Sequence, residues 1–198
     1  GNGHVFLPRE KLLWAAAQLI GLPPDRVEMC LDTMVEQGAI RQEQVAGVLG
    51  CYTPELYEAE CFVANKLLSM LRFPYGKVRG VDGVIEEMEM TQGIRYAPLQ
   101  REAVTLAAQS GVLLLTGGPG TGKTTATRAI VHLFEKMGLD ILLLAPTGRA
   151  AKRMGELCER EAQTIHRCLG MSFNDLTGRV TYKKGESDPL EAEAVLVD

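Results

Sequence analysis

One string of residues constrains this chain more than its length or composition: Gly117-Gly118-Pro119-Gly120-Thr121-Gly122-Lys123-Thr124. It fits the pattern GxxxxGK[ST] in full. Such a pattern needs a strand before it and a helix after it, and both are legible. Residues 112–116 form an apolar run, as expected for a strand buried on both faces. Residues 125–137 read as a helix closed by Gly138. Between them the glycines let the backbone wrap an anion with its N–H groups pointing inward. The helix N-terminus adds a dipole that favours negative charge. In this arrangement Lys123 reaches the β- and γ-phosphates of a nucleotide, and the Thr124 hydroxyl takes Mg²⁺. The binding stretch runs through Gly117, Gly118, Pro119, Gly120, Thr121, Gly122, Lys123, Thr124 and Thr125, with ATP and Mg²⁺ as the expected ligands.

Downstream, apolar runs and helical patterns alternate. Residues 141–145 read as a second buried strand, 149–161 as a helix, 179–182 as a hairpin strand and 194–197 as a third buried strand. Strand–helix–strand alternation implies an α/β fold, a parallel sheet with helices on both faces. The third strand ends in Val195-Leu196-Val197-Asp198. An acid at that place is the expected second ligand of the Mg²⁺, so Asp198 joins Lys123 as a candidate catalytic residue.

Three further places carry polar groups that the sheet would present on its ligand side. Ala145-Pro146-Thr147-Gly148-Arg149-Ala150 joins the second strand to its helix, where a Thr hydroxyl and free N–H groups can hold a phosphate. A plain strand–turn–helix connection is the simpler alternative. Thr164 is placed to cap a short helix carrying His166 and Arg167, which on its own is a surface turn. Gln100 lies in a helix over 98–109 that opens at Pro98 and is capped by Gly111. Its amide can exchange hydrogen bonds with an adenine edge, although a solvent-facing glutamine is the plainer reading.

The first 72 residues read as a separate helical domain in the order helix, helix, hairpin, helix, which is winged-helix-like. The last of these helices carries Leu56, Ala59, Phe62, Val63, Leu67, Leu68 and Leu71 on one side. Acids outnumber bases here, which favours a partner-docking role over DNA reading. Residues 73–97 read as a linker with a short helix over 81–90, and 98–198 as the first part of the P-loop α/β domain. Net charge is −4, which argues against a nonspecific polycation mode of nucleic-acid binding. The cysteines Cys30, Cys51, Cys61, Cys158 and Cys168 are odd in number with no CxxC pair, as for reduced thiols in a cytoplasmic protein. No apolar run is long enough to span a membrane.

Taken together the motifs resemble the superfamily 1 DNA helicases of the RecD/TraA type, which include the exodeoxyribonuclease V alpha subunit. The resemblance rests on Pro98-Leu99-Gln100-Arg101-Glu102-Ala103-Val104, on Leu115 through Thr125, on Ala145-Pro146-Thr147-Gly148-Arg149-Ala150-Ala151, on Thr164-Ile165-His166-Arg167 and on Val195-Leu196-Val197-Asp198. It implies a RecA-like motor that moves 5′ to 3′ on single-stranded DNA in recombination or repair. It also implies that Gln100 recognises adenine and that Thr147, Gly148, Arg149 and His166 lie along the DNA. The chain lacks an initiator Met and stops at Asp198, so it reads as excised from something longer. The expectation is therefore that these 198 residues do not unwind DNA and hydrolyse ATP at trace level at most. A P-loop switch or assembly ATPase that does not move on DNA stays open as the alternative.

Overall fold

Prolines set three of the helix starts. Pro24, Pro54 and Pro98 each occupy the first helical position, where a missing N–H costs nothing. The structure, a computed structural model, describes residues 3–73, 75–76 and 78–198. It divides into two compact units, Gly1–Arg72 and Phe73–Asp198.

The first unit runs β1 (Leu7–Pro8), α1 (Arg9–Ile20), α2 (Pro24–Glu36), β2 (Arg41–Val45), β3 (Val48–Tyr52) and α3 (Pro54–Arg72). This is the helix, helix, hairpin, helix order, with β1 added antiparallel to β3 so that the strand order is β1-β3-β2. Gly21, with φ 69, ends α1 in the left-handed conformation that glycine adopts without strain. Its small core holds Ala17, Val27, Leu31, Cys51 and Tyr52. Arg9 joins α1 to α2 through Glu28 at 3.0 Å and Asp32 at 2.7 Å. The apolar side of α3 buries no residue: Val63 is 54% and Leu71 59% exposed. The sequence shows the stripe, but α3 meets this unit's core through Tyr57, whose ring lies 5.4 Å from that of Tyr52.

The second unit continues with α4 (Val81–Gln92), α5 (Pro98–Ala107), α6 (Lys123–Lys136), β4 (Ile141–Ala145), α7 (Gly148–Cys158), β5 (Ala162–Thr164), α8 (Ile165–Cys168), β6 (Ser172–Asn174), β7 (Arg179–Thr181) and β8 (Ala194–Val197). Strands β5, β4 and β8 form a parallel sheet in that order, with Leu143 opposite Leu196 and Ala145 opposite Thr164. Strands β6 and β7 form a separate antiparallel hairpin. One core gathers Ile85 and Met88 from α4, Val104 from α5 and Leu133 from α6. A second joins Val131 and Met154 to Ile141 and Leu143 on β4.

Five expectations are corrected here. Residues 112–116 form no ladder; Leu114 is 84% exposed. A strand buried on both faces needs partners along its edges, and apolar content alone does not supply them. Strand β8 is likewise half-exposed rather than buried, with Val195 and Val197 on the open side. Helix α5 ends at Ala107 and is capped by Ala108, not by Gly111, and α7 ends at Cys158 because Glu159 turns left-handed at φ 54. Residues 81–97 belong to the core rather than to a linker: Val81, Ile85 and Met88 of α4 and then Tyr96 pack against α5 and α6. Of the stretch 73–80 in the same reading, Pro74 and Lys77 lie outside the described residues.

Candidate functional site

The glycine string folds as a loop that turns directly into α6. Gly120 and Gly122 take φ 76 and 81, values that side chains with a Cβ rarely adopt, so glycine is required by the backbone itself. Lys123 begins the helix, and its ammonium folds back onto the carbonyls of Gly117 and Gly118, the latter at 2.8 Å. The Thr121 hydroxyl donates to the Gly118 carbonyl at 2.9 Å. The loop's own bonds thus run from side chains to carbonyls. Among the described residues no backbone N–H from 117 to 122 is taken by a backbone carbonyl. Such a loop suits an anion: its N–H groups are free, and a lysine beside them is held only by neutral oxygens. The donor set therefore fits a nucleotide's phosphates. Thr124 and Thr125 follow in the first turn of α6, both half-buried.

Gln100 is tied to this loop. Its Oε1 accepts from the Ala97 N–H at 2.9 Å, and its Nε2 donates to the Gly122 carbonyl at 3.2 Å. Ala97 precedes α5 and has no side-chain acceptor, so Gln100 supplies the helix cap from inside the first turn. The amide is half-buried, not solvent-facing. A Cβ on Gly122 would overlap Gln100 Nε2. Gly122→Ala is expected to displace that amide and to strain the loop by about 1–2 kcal/mol, which isothermal titration with MgADP would read as weaker binding. Wild-type affinity in that variant would show that the loop tolerates either change.

The other candidates sit at the carboxyl ends of the parallel strands. Thr147 follows β4 and caps α7, its hydroxyl accepting from the Ala150 N–H at 3.2 Å. Thr164 ends β5 and caps α8 in the same way, accepting from Arg167 N–H at 3.2 Å. Because Ala145 pairs with Thr164, the two caps lie on adjacent strands of one sheet edge. Thr147, Gly148, Arg149 and His166 are all exposed there. Asp198 follows β8 on the same side, its N–H donating to the Leu144 carbonyl at 3.0 Å.

Sequence reasoning missed a group that the structure joins to Gln100. Glu89 on α4 accepts from the Tyr96 N–H at 2.8 Å and from Arg101 Nη1 at 2.9 Å. The Tyr96 N–H first, and then Arg101, hold this carboxyl below the usual glutamate range. No motif marks the pair, because residues 12 apart on two different helices meet only after the turn between them folds.

With this geometry in view, the comparisons with known proteins become specific. The family model described as AAA domain matches residues 100–198, from Gln100 through the glycine loop to Asp198. The chain belongs to this family. Within it the chain is RecD-type. It is 30% identical over 205 residues to the ATP-dependent RecD2 DNA helicase of Deinococcus radiodurans, a match covering 99% of this chain and 28% of that protein. It is 32% identical over 124 residues to the RecBCD enzyme subunit RecD of Haemophilus influenzae, covering 50% of this chain and 19% of that one. With the RecD subunit of Mycobacterium tuberculosis it shares 38% identity over 94 residues, 36% of this chain and 16% of that one. The chain thus spans less than a third of the length of each of these relatives. Among the described residues no helix is long and apolar enough to cross a membrane.

Proposed function

We propose that this chain is the ATP-binding part of an ATP-driven 5′-to-3′ DNA helicase acting in recombination or repair in the cytoplasm. The observation that carries the reading is the loop of residues 117–122, with free N–H groups beside the Lys123 ammonium. In this reading Lys123 leaves the Gly117 and Gly118 carbonyls for the β- and γ-phosphates. The N–H groups from Gly117 to Thr125, Pro119 excepted, are the donors available to the same oxygens. Thr124 and Asp198 hold the Mg²⁺, which neutralises charge on the transferred phosphate when bound. The free valences of Gln100 meet the adenine. Residues 98–198 act as part of a RecA-like motor domain, and residues 1–72 as a winged-helix-like domain that docks a protein partner.

Thr147, Gly148, Arg149 and His166 form the DNA-binding edge in this reading. The two capped turns offer hydroxyls and N–H groups to a phosphate backbone, and Arg149 adds charge. Arg149→Ala is expected to weaken binding of fluorescein-labelled oligo-dT about tenfold and to reduce its salt slope by about one. Anisotropy titrations at several salt concentrations would check it. Unchanged affinity and slope would remove Arg149 from the DNA path. Translocation separates this reading from a switch ATPase. ATP hydrolysis in a longer chain that contains these residues should be stimulated by single-stranded DNA, and a 5′-tailed duplex should be unwound in preference to a 3′-tailed one. Hydrolysis indifferent to DNA would favour the switch.

A further inference from the structure

We propose that Glu89 is a positioning residue for base recognition: by holding the chain on both sides of the Ala97–Gln100 turn, it fixes where the Gln100 amide stands relative to the glycine loop. This deepens the nucleotide reading above and rests on it. The turn's own backbone bonds, from the Gln100 and Arg101 N–H groups to the Ala97 carbonyl at 2.9 and 3.0 Å, close the first turn of α5, and little side-chain packing adds to them. Pro98 contributes no N–H, Ala97 has no side-chain cap, and Ile94 and Leu99 are exposed. Glu89 takes the N–H of Tyr96, one residue before Ala97, and the guanidinium of Arg101, one residue after Gln100. The Tyr96 ring is 5% exposed among Ile85, Met88 and Val104, so the carboxylate is anchored to packed core. From there the connection is continuous: Tyr96 leads to the Ala97 N–H, that N–H to Gln100 Oε1, and Gln100 Nε2 to the Gly122 carbonyl.

The consequence is chemical. A glutamine amide has two donor hydrogens and two acceptor lone pairs. Ala97 and Gly122 take one of each. One donor and one acceptor are left, which complement the N7 acceptor and N6 donor of adenine. Guanine presents two acceptors on that edge and leaves the amide's remaining lone pair unmatched. Discrimination of this kind depends on where the amide stands, and Glu89 controls that without touching the nucleotide. It is a positioning residue, not a catalytic one.

The test compares MgATP, MgGTP and Mg-tripolyphosphate binding by calorimetry in wild type, Glu89→Gln, Glu89→Ala, Gln100→Ala and the double variant Glu89→Ala/Gln100→Ala, each with a thermal melt. Glu89→Ala is expected to reduce the ATP-over-GTP preference about tenfold while tripolyphosphate affinity stays within about twofold. In the Gln100→Ala background the same change should add nothing, because the two act through one amide. Glu89→Gln keeps an acceptor for Tyr96 and should fall between; if Glu89→Ala does not fold, this variant carries the test. Equal loss of ATP and tripolyphosphate binding, additive losses in the double variant, or an unchanged base preference would each overturn the positioning role. A wild type that binds tripolyphosphate but does not prefer ATP overturns the base reading of Gln100 together with this proposal. A wild type that binds neither overturns the phosphate site itself.

Discussion

Lys123→Ala is expected to weaken MgATP binding by roughly 100-fold, the consequence of losing one ammonium that faces phosphate oxygens in a site built from N–H groups. Among the described residues the lysine is held only by the Gly117 and Gly118 carbonyls, so nothing structural should collapse when it goes. The melting temperature should change little, and that combination identifies a ligand-facing role. Titration of a fluorescent ATP analogue with Mg²⁺ against both proteins measures it. Equal affinities would refute the assignment. Phosphate release in Lys123→Ala should also fall to background, which gives the blank needed for any hydrolysis measurement.

The largest expected effect on stability is at the other end of the same helix. Leu133 is 1% exposed and packs in the core with Ile85, Met88 and Val104. Truncation to alanine removes that packing where three helices meet and leaves a cavity that rigid helices fill poorly. The expected cost is about 3 kcal/mol, within the range for buried leucines. For a unit of this size the melt should shift by roughly 10 °C, read by circular dichroism. A shift under about 2 °C would mean that the core repacks around the gap, and that Leu133 does not anchor the loop's helix. Leu133→Ala and Lys123→Ala thus separate the two ends of α6, one carrying stability and the other the ligand.

Much of this was legible because local rules and tertiary needs agree at those positions. The glycine loop needs positive φ at Gly120 and Gly122, and few other strings put glycine, lysine and threonine in that order at a helix start. Strand β4 is buried as its apolar run implies, and the Thr164 cap forms where the sequence places it, while the cap by Thr147 emerges only in the structure. The unread parts depend on partners that periodicity does not name. Residues 112–116 and β8 look like central strands by composition, yet a strand's burial is set by what lies beside and above it. Strand β5 is only Ala162–Thr164, too short and too polar to announce itself, and it forms because β4 offers an edge. Helix α4 was legible as a helix but not as core, since three apolar positions on an exposed-looking segment suffice once α5 and α6 meet it. The placement of Gln100 follows the same rule. Its chemistry was readable from its type, while its bond to Gly122 bridges residues 22 apart and required the fold.

The central claim is that residues 117–124 cradle the phosphates of ATP with Mg²⁺, with Gln100 bound to the same loop. Amide-resolved NMR on the isotopically labelled chain tests it most directly, by adding MgATP in steps and following each backbone N–H and the Gln100 side-chain amide. The account predicts the largest shifts at Gly117, Gly118, Gly120, Gly122, Lys123 and Thr124, together with the Gln100 amide, and their strong reduction in Lys123→Ala. Saturating MgATP that leaves those resonances in place, or that shifts only residues elsewhere, would contradict it.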